Sequence, residues 1–350
     1  MNESTWAFGT SGFGAYQITP SSNSLVLEPT NIRPTSILAP GFVDIHIHGG
    51  FGIDFMTSDT QGIESLLEKL GQCGYEHLIP TTVTASASAI REALAKLPES
   101  PMILGFHLEG PFVNPIMAGA QPKDFIINPP ENASEWDAIL DEPRLRVVTL
   151  APELPGSLKL IQRLATRGVR VGIGHTNATY RECSEAQKAG ATHTTHTFNA
   201  MRQFHHREAG TVGFALLKTD FPAELIYDRL HVCKEAASVL IKNKSADAIL
   251  AVSDGTMASG MKSGSRLQMW GLDCMVGNRD VRLLDGTLAG SAITLLDAFQ
   301  TLMEDFGPEI AIRSTSLNPR KLLGIHQPPK INILFDLQGQ IRDIFSLSAS

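Results

Sequence analysis

Apolar runs recur along the chain, most of them followed by an amphipathic segment. They are "GFVDIHIH" (41–48), "HLIPTTVT" (77–84), "MILGFHLE" (102–109), "RVVTLAPE" (146–153), "VRVGIGHT" (169–176), "ATHTTHTF" (191–198), "AELIYDRL" (223–230) and "DAILAVSD" (247–254). Segments with apolar residues at helical spacing fall between most of them. "TQGIESLLEKLGQCG" (60–74) is one, with a glycine stop. "ASAIREALAKL" (87–97), "LPGSLKLIQRLATRG" (154–168), "TYRECSEAQKAG" (179–190) and "CKEAASVLIKNK" (233–244) are others. Strand then helix, eight times, is the pattern of a (β/α)8 TIM-type barrel. A doubly wound open sheet is the alternative; the eight units and the polar residues at the run ends favour closure. The pattern places the barrel over residues 41–317. Residues 1–40 and 318–350 do not fit it. "SNSLVLEPTNIRPTSIL" and "KINILFDLQGQIRDIF" read as short strands with turns, so the two ends are expected to meet in a small β subdomain.

Strand geometry gives the first chemical signal. Alternate residues of a strand share a face, so Asp44, His46 and His48 lie together, opposite Val43, Ile45 and Ile47. Packing gives a buried strand no reason for three polar groups on one side. In a TIM-type barrel the site lies at the C-terminal strand ends, and titratable residues collect there. His46 and His48 end the first run, Glu109 the third and His175 the fifth. His196 closes the sixth, His231 follows the seventh, and Asp254 ends the eighth. Imidazole and carboxylate donors suit zinc, iron and other divalent transition ions, and such an ion lowers the pKa of water toward 7.

An H-x-H pair alone suits satisfied core histidines as well as ligands. Glu109 stands between an apolar strand and a Gly-Pro turn, and a buried carboxylate needs partners; a ligand role suits it better than a surface role. His193 is three residues from His196, on the opposite face, and reads as a packed structural histidine. His107 suits a core or supporting role. His77 reads as structural, and His326 lies outside the barrel. Asp254 has the place of a helix cap or of a catalytic base, and its position at a strand end favours the base.

Composition narrows the class. The net charge of −7 comes without long like-charge blocks, which argues against a nucleic-acid or membrane-surface partner. Four scattered cysteines form no C-x-x-C pair; they read as reduced thiols of a cytoplasmic protein. No signal peptide is evident at "MNESTWAFGTSGFG", and no run approaches the length of a membrane helix.

The ordered motifs H-x-H, "HLEGPF", "GHTNATY", "THTFNAM", "HHREAG", "DRLHV", "SDGT" and "GTLAGSA" resemble the amidohydrolase superfamily. Within it they resemble the N-acetylglucosamine-6-phosphate deacetylases, from about residue 38 to about 325. The resemblance implies metal ligation by Glu109, His175 and His196, with a second site formed by His46 and His48 and bridged by Glu109. One or two divalent ions per subunit follow, zinc first, with iron, manganese or cobalt as alternatives. The fourth run, "TLAPE", lacks the lysine that many superfamily members use as a bridge. The resemblance assigns Asp254 as catalytic base and His231 to the substrate carbonyl. It assigns Asn199, Ala200 and Arg207 to the sugar phosphate, with some of these contacts crossing a homodimer interface. The implied reaction is hydrolysis of the acetamide of N-acetylglucosamine 6-phosphate. N-acetylgalactosamine 6-phosphate, N-acyl amino acids and cyclic amides are rival substrates, and a non-enzymatic sensor of amino-sugar phosphates is a rival role. Arg229, where the family usually has glycine, and Ala209 in "REAG" depart from the pattern near the sugar pocket.

Overall fold

The computed structural model describes residues 4–20, 25–284, 286 and 288–346. Eight parallel strands form its centre: β1 (Phe42–Ile47), β2 (Tyr75–Pro80), β3 (Phe106–Glu109), β4 (Leu145–Leu150), β5 (Arg170–Ile173), β6 (His193–Thr194), β7 (Ala223–Ile226) and β8 (Ile249–Val252). Strands β3 to β8 pair in chain order as one parallel sheet, and β1 pairs with β2. Parallel bridges join the free edges. Leu78 pairs with Ile103 and Thr81 with His107 on one side, and Ile47 pairs with Gly255 on the other. At the second seam Asp254 N–H donates to His46 O at 2.9 Å, and His48 N–H to Gly255 O at 2.8 Å. The result is a curled parallel sheet of TIM type, with helices in the crossovers.

The crossover helices follow the apolar spacing. Helix Thr60–Gln72 buries Ile63, Leu66, Leu67 and Leu70 on one face, and Asp59 caps its start by accepting from Gly62 N–H. Helix Tyr180–Ala189 opens on a capping box between Thr179 and Glu182. Helix Gly210–Leu217 was not foreseen; it is apolar nearly all round, so it has no periodic signature.

The terminal segments pair with each other. Strands Ser4–Gly9, Gly12–Pro20, Leu25–Pro29 and Ser36–Pro40 join Ile331–Phe335 and Ile341–Ser346 in one six-stranded sheet. An aromatic seam ties this sheet to the barrel. Phe335 stacks on Phe299 of helix Leu295–Phe306 at 4.4 Å, and Phe42 of β1 lies 5.4 Å from Phe299. All three rings are fully buried. The chain past residue 318 first makes a helical turn, Asn318–Leu323, against β1 and β8; strand structure resumes only at Ile331. Residues 1–3, 21–24 and 347–350 of the expected terminal subdomain lie outside the described residues. A four-stranded antiparallel sheet, Arg266–Ser291, stands between β8 and the last large helix and has no counterpart in the sequence reading.

Candidate active site

The strand ends bring the polar residues to one rim. Glu109 ends β3, and the glycine after it is required: with φ +73, a Cβ on Gly110 would stand 2.0 Å from Thr84 Oγ1. His175, His196 and Asp254 follow β5, β6 and β8, and each has a positive φ, 45°, 29° and 45°. Non-glycine residues hold that conformation only where the surroundings over-determine it, and such residues cluster at functional sites. The glycines after His48 serve a tight turn of the chain. Gly49 and Gly50 pair with Ile53 and Asp54 in a short hairpin, where a Cβ on Gly49 would stand 2.2 Å from Ile53 O.

Two donor groups result, Glu109–His175–His196 and His46–His48–Asp254. Glu109 Oε1 lies 3.1 Å from His175 Nε2, 3.2 Å from His196 Nε2 and 3.3 Å from His46 Nε2. Its Oε2 lies 3.3 Å from His48 Nε2. Asp254 Oδ1 is 3.3 Å from His46 Nε2 and 3.2 Å from His48 Nε2. Asp44, on the same strand face, turns away from both groups: it accepts from Tyr75 OH and from the His46 N–H.

The nitrogens point as ligands point. His175 Nδ1 donates to Met117 O at 2.9 Å, which leaves Nε2 with its lone pair. That Nε2 faces His196 Nε2 at 3.1 Å, an arrangement that one shared proton at most can bridge. His46 Nε2 is buried without a hydrogen-bond partner, although two carboxylates lie nearby. Buried donors are normally paired, so this convergence fits a cation at the centre.

Electrostatics agree. Burial opposes charge on His46, but Asp254, Glu109 and Glu224 outweigh it and raise its pKa well above the usual imidazole range. The same balance pushes His48 up to about 9. Burial pushes the Glu109 and Asp254 carboxyls up; the histidines overcome it and hold both below the usual carboxylate range. Carboxylates that favour protons on these rings equally favour a metal cation in their place.

The groups open on a cavity of about 220 Å³. Glu109, His175, His196, His48, His231, Asp254, Asn199 and Ala200 line it. His231 Nδ1 lies 2.6 Å from Asp228 Oδ2, and Asp228 also accepts from the Leu230 and His231 N–H groups. Burial opposes charge on His231, and Asp228 raises its pKa above the ordinary value regardless. Arg207 is exposed, beside His206, and does not line the cavity. Arg229 has φ 66, a conformation that favours glycine; its side chain pairs with Asp305 at 2.7 Å and Glu304 at 2.8 Å, outside the lining.

The lining also contains residues that the sequence reading assigned no role. Gln121 donates to Glu109 Oε2 at 2.7 Å and accepts from Thr84 N–H at 2.7 Å. Trp270, 5.6 Å from His48 and donating to Asp54, comes from the antiparallel sheet. Leu288, Ala289 and Gly290 come from the motif "GTLAGSA"; the motif was the signal that could have marked them.

Comparison with known proteins decides the family. The amidohydrolase family matches residues 37–328. The chain belongs to the amidohydrolase family. This amidohydrolase is 36% identical over 320 residues to the N-acetylglucosamine-6-phosphate deacetylase of Bacillus subtilis (strain 168), covering 87% of this chain and 78% of that protein. It is 34% identical over 304 residues to the N-acetylgalactosamine-6-phosphate deacetylase of Escherichia coli O157:H7, covering 84% and 80%. A mutant of the Mycobacterium smegmatis N-acetyl-D-glucosamine-6-phosphate deacetylase, solved in complex with N-acetyl-D-glucosamine-6-phosphate, superposes with a TM-score of 0.89 at 25% identity; 99% of this chain and 96% of that chain are covered. The expected TIM-type architecture is that of the family, and the amidohydrolase is a metal-dependent hydrolase of an amide bond.

Proposed function

We propose that this amidohydrolase deacetylates N-acetylglucosamine 6-phosphate, giving glucosamine 6-phosphate and acetate. The observation that carries the reading is the convergence of Glu109 with four histidine Nε2 atoms at a cavity that Asp254 and His231 also line. Glu109, His175 and His196 would hold one divalent ion. His46 and His48, with Glu109 shared, would hold a second. Nitrogen and carboxylate donors suit zinc first, with iron, manganese and cobalt as alternatives. When bound, such an ion supplies Lewis acidity for the amide carbonyl and for water.

The chain's own groups do the rest. Asp254, held as the carboxylate, takes the proton of the attacking water and returns it to the amide nitrogen as the C–N bond breaks. His231, whose Nδ1 is held by Asp228 at 2.6 Å and whose pKa Asp228 raises, stands at the oxygen where negative charge develops. Asn199 and Ala200 face the sugar. Among the described residues no lysine or arginine lines the cavity, so a phosphate there needs a cation from elsewhere. Exposed Arg207, beside exposed Phe204 and His206, fits a homodimer in which it serves the second copy's cavity.

Acetate release from both N-acetylhexosamine 6-phosphates, before and after chelation, tests the reading. Activity is expected to vanish with the metal and return with zinc. Asp254→Asn is expected to cut kcat by about 10²–10⁴ with metal content unchanged; full activity in that variant removes the base assignment. The similarity to the Escherichia coli protein supports N-acetylgalactosamine 6-phosphate as a second substrate, and the ratio of the two rates decides between them.

Residues 41–317 would form the closed (β/α)8 barrel, with 1–40 and 318–350 as a small β subdomain. The edge bridges and the mixed six-stranded sheet support that division. The four cysteines are unpaired, which suits a reducing, cytoplasmic setting. No helix among the described residues is long and apolar enough to cross a membrane.

A further inference from the structure

A carboxylate inside a barrel is costly unless it is fully hydrogen-bonded or paired. Glu224 of β7 is completely buried, does not line the cavity, and has no part in the steps above. Its Oε2 lies 3.1 Å from His46 Nδ1 and accepts the His196 backbone N–H at 2.9 Å. Its Oε1 lies 3.1 Å from His193 Nε2, whose own Nδ1 meets Thr192 Oγ1 at 2.9 Å. One side chain therefore touches a residue of each donor group from behind.

The two nitrogens of His46 face opposite ways. Nδ1 meets Glu224, while Nε2 stands 3.3 Å from both Glu109 and Asp254. A carboxylate can only accept, so His46 Nδ1 carries the proton and Nε2 is left as the ligand. We propose that Glu224 is the positioning residue that builds the His46–His48 ion site, by fixing the ring and tautomer of His46. Through the His196 N–H it also ties that site to the Glu109–His175–His196 group. His193 Nε2 stands at ion-pair distance from the second oxygen, without hydrogen-bond geometry. The inference rests on the reading that His46 and His48 hold a second ion.

The test is Zn²⁺ binding to metal-free protein, by calorimetry and elemental analysis, in wild type and in the near-isosteric Glu224→Gln. Wild type is expected to take two ions. The variant is expected to keep one at wild-type affinity and to bind the other about 10–100-fold more weakly. The visible spectrum of the second Co²⁺ equivalent should change while that of the first persists, a split that general loosening of the fold does not produce. Two ions bound by the variant as tightly as by wild type overturn the inference and leave the two-site reading intact. A wild type that takes a single ion overturns both. Should the variant fail to fold, ¹¹³Cd-loaded wild type still decides: coupling to His46 through Nε2 supports the inference, and coupling through Nδ1 ends it.

Discussion

His175, His196 and Asp254 each close a strand in a left-handed conformation that costs an L-residue on the order of 1–3 kcal/mol. Arg229 has the same conformation, but its side chain leaves the cavity for Asp305 and Glu304. Two partly exposed ion pairs contribute about 0–1 kcal/mol each, comparable to the roughly 1–2 kcal/mol that glycine regains in this region. Arg229→Gly is therefore expected to leave the melting point nearly unchanged, and the rate ratio for the two sugar phosphates likewise. A changed ratio in the acetate assay would put Arg229 in the pocket. His46, His48, Glu109, His175, His196 and Asp254 were legible because strand parity and strand ends restrict where such residues can stand. Gln121, Trp270 and Asp228 were not. Gln121 and Trp270 lie in a loop and a hairpin turn without periodicity, and their partners, Glu109 and Asp54, are set by tertiary structure. Asp228 sits at the end of an apolar run, and its bond to His231 three residues on depends on the turn that follows. Glu224 was hidden by its context: the run "AELIYDRL" reads as an ordinary strand, and nothing in its spacing reveals His46 178 residues away.

The elements of the barrel were legible for a similar reason. Buried parallel strands read as apolar runs, and helices Thr60–Gln72 and Ser157–Thr166 show their stripe directly. The antiparallel insertion Arg266–Ser291 was missed because its strands "RLQM" and "DVRL" are only four residues long and carry charged residues, so they look like loop. At the opposite end of β2 an ion pair fastens the returning chain. Glu76 meets the buried Arg320 at 2.6 Å and accepts from the Lys330 and Ile331 N–H groups. Burial pushes the Glu76 carboxyl up, but His77, Arg320 and the Lys330 N–H draw it down to about 2. A depressed carboxyl stabilises the fold above its ordinary value near 4.5, and that contribution is lost as pH falls from there toward 2. Glu76→Gln should lower stability by a few kcal/mol at pH 7, on the order of 3 from the shift, and flatten its acid dependence. Melting curves from pH 7 to 3 that stay parallel for the two proteins would contradict this.

For the molecule as a whole, the question is where the phosphate finds its cation. If Arg207 serves a second copy, Arg207→Ala and Asp254→Asn damage different parts of one shared site. Mixed and re-equilibrated, the two inactive variants should recover about a quarter of wild-type activity: half the dimers are mixed, and each carries one intact site. No recovery, with exchange of subunits demonstrated, removes the role of Arg207 at the second copy's cavity. The ring has one further consequence. Glu109, His175 and His196 all come from the continuous sheet β3 to β8, whereas His46 and His48 sit on the first strand and Asp254 just beyond the last, on either side of the seam where Ile47 meets Gly255. Asp254, the proposed base, therefore reaches His46 and His48 only across that seam, so the proposed base and the proposed second ion site meet where the two ends of the sheet join.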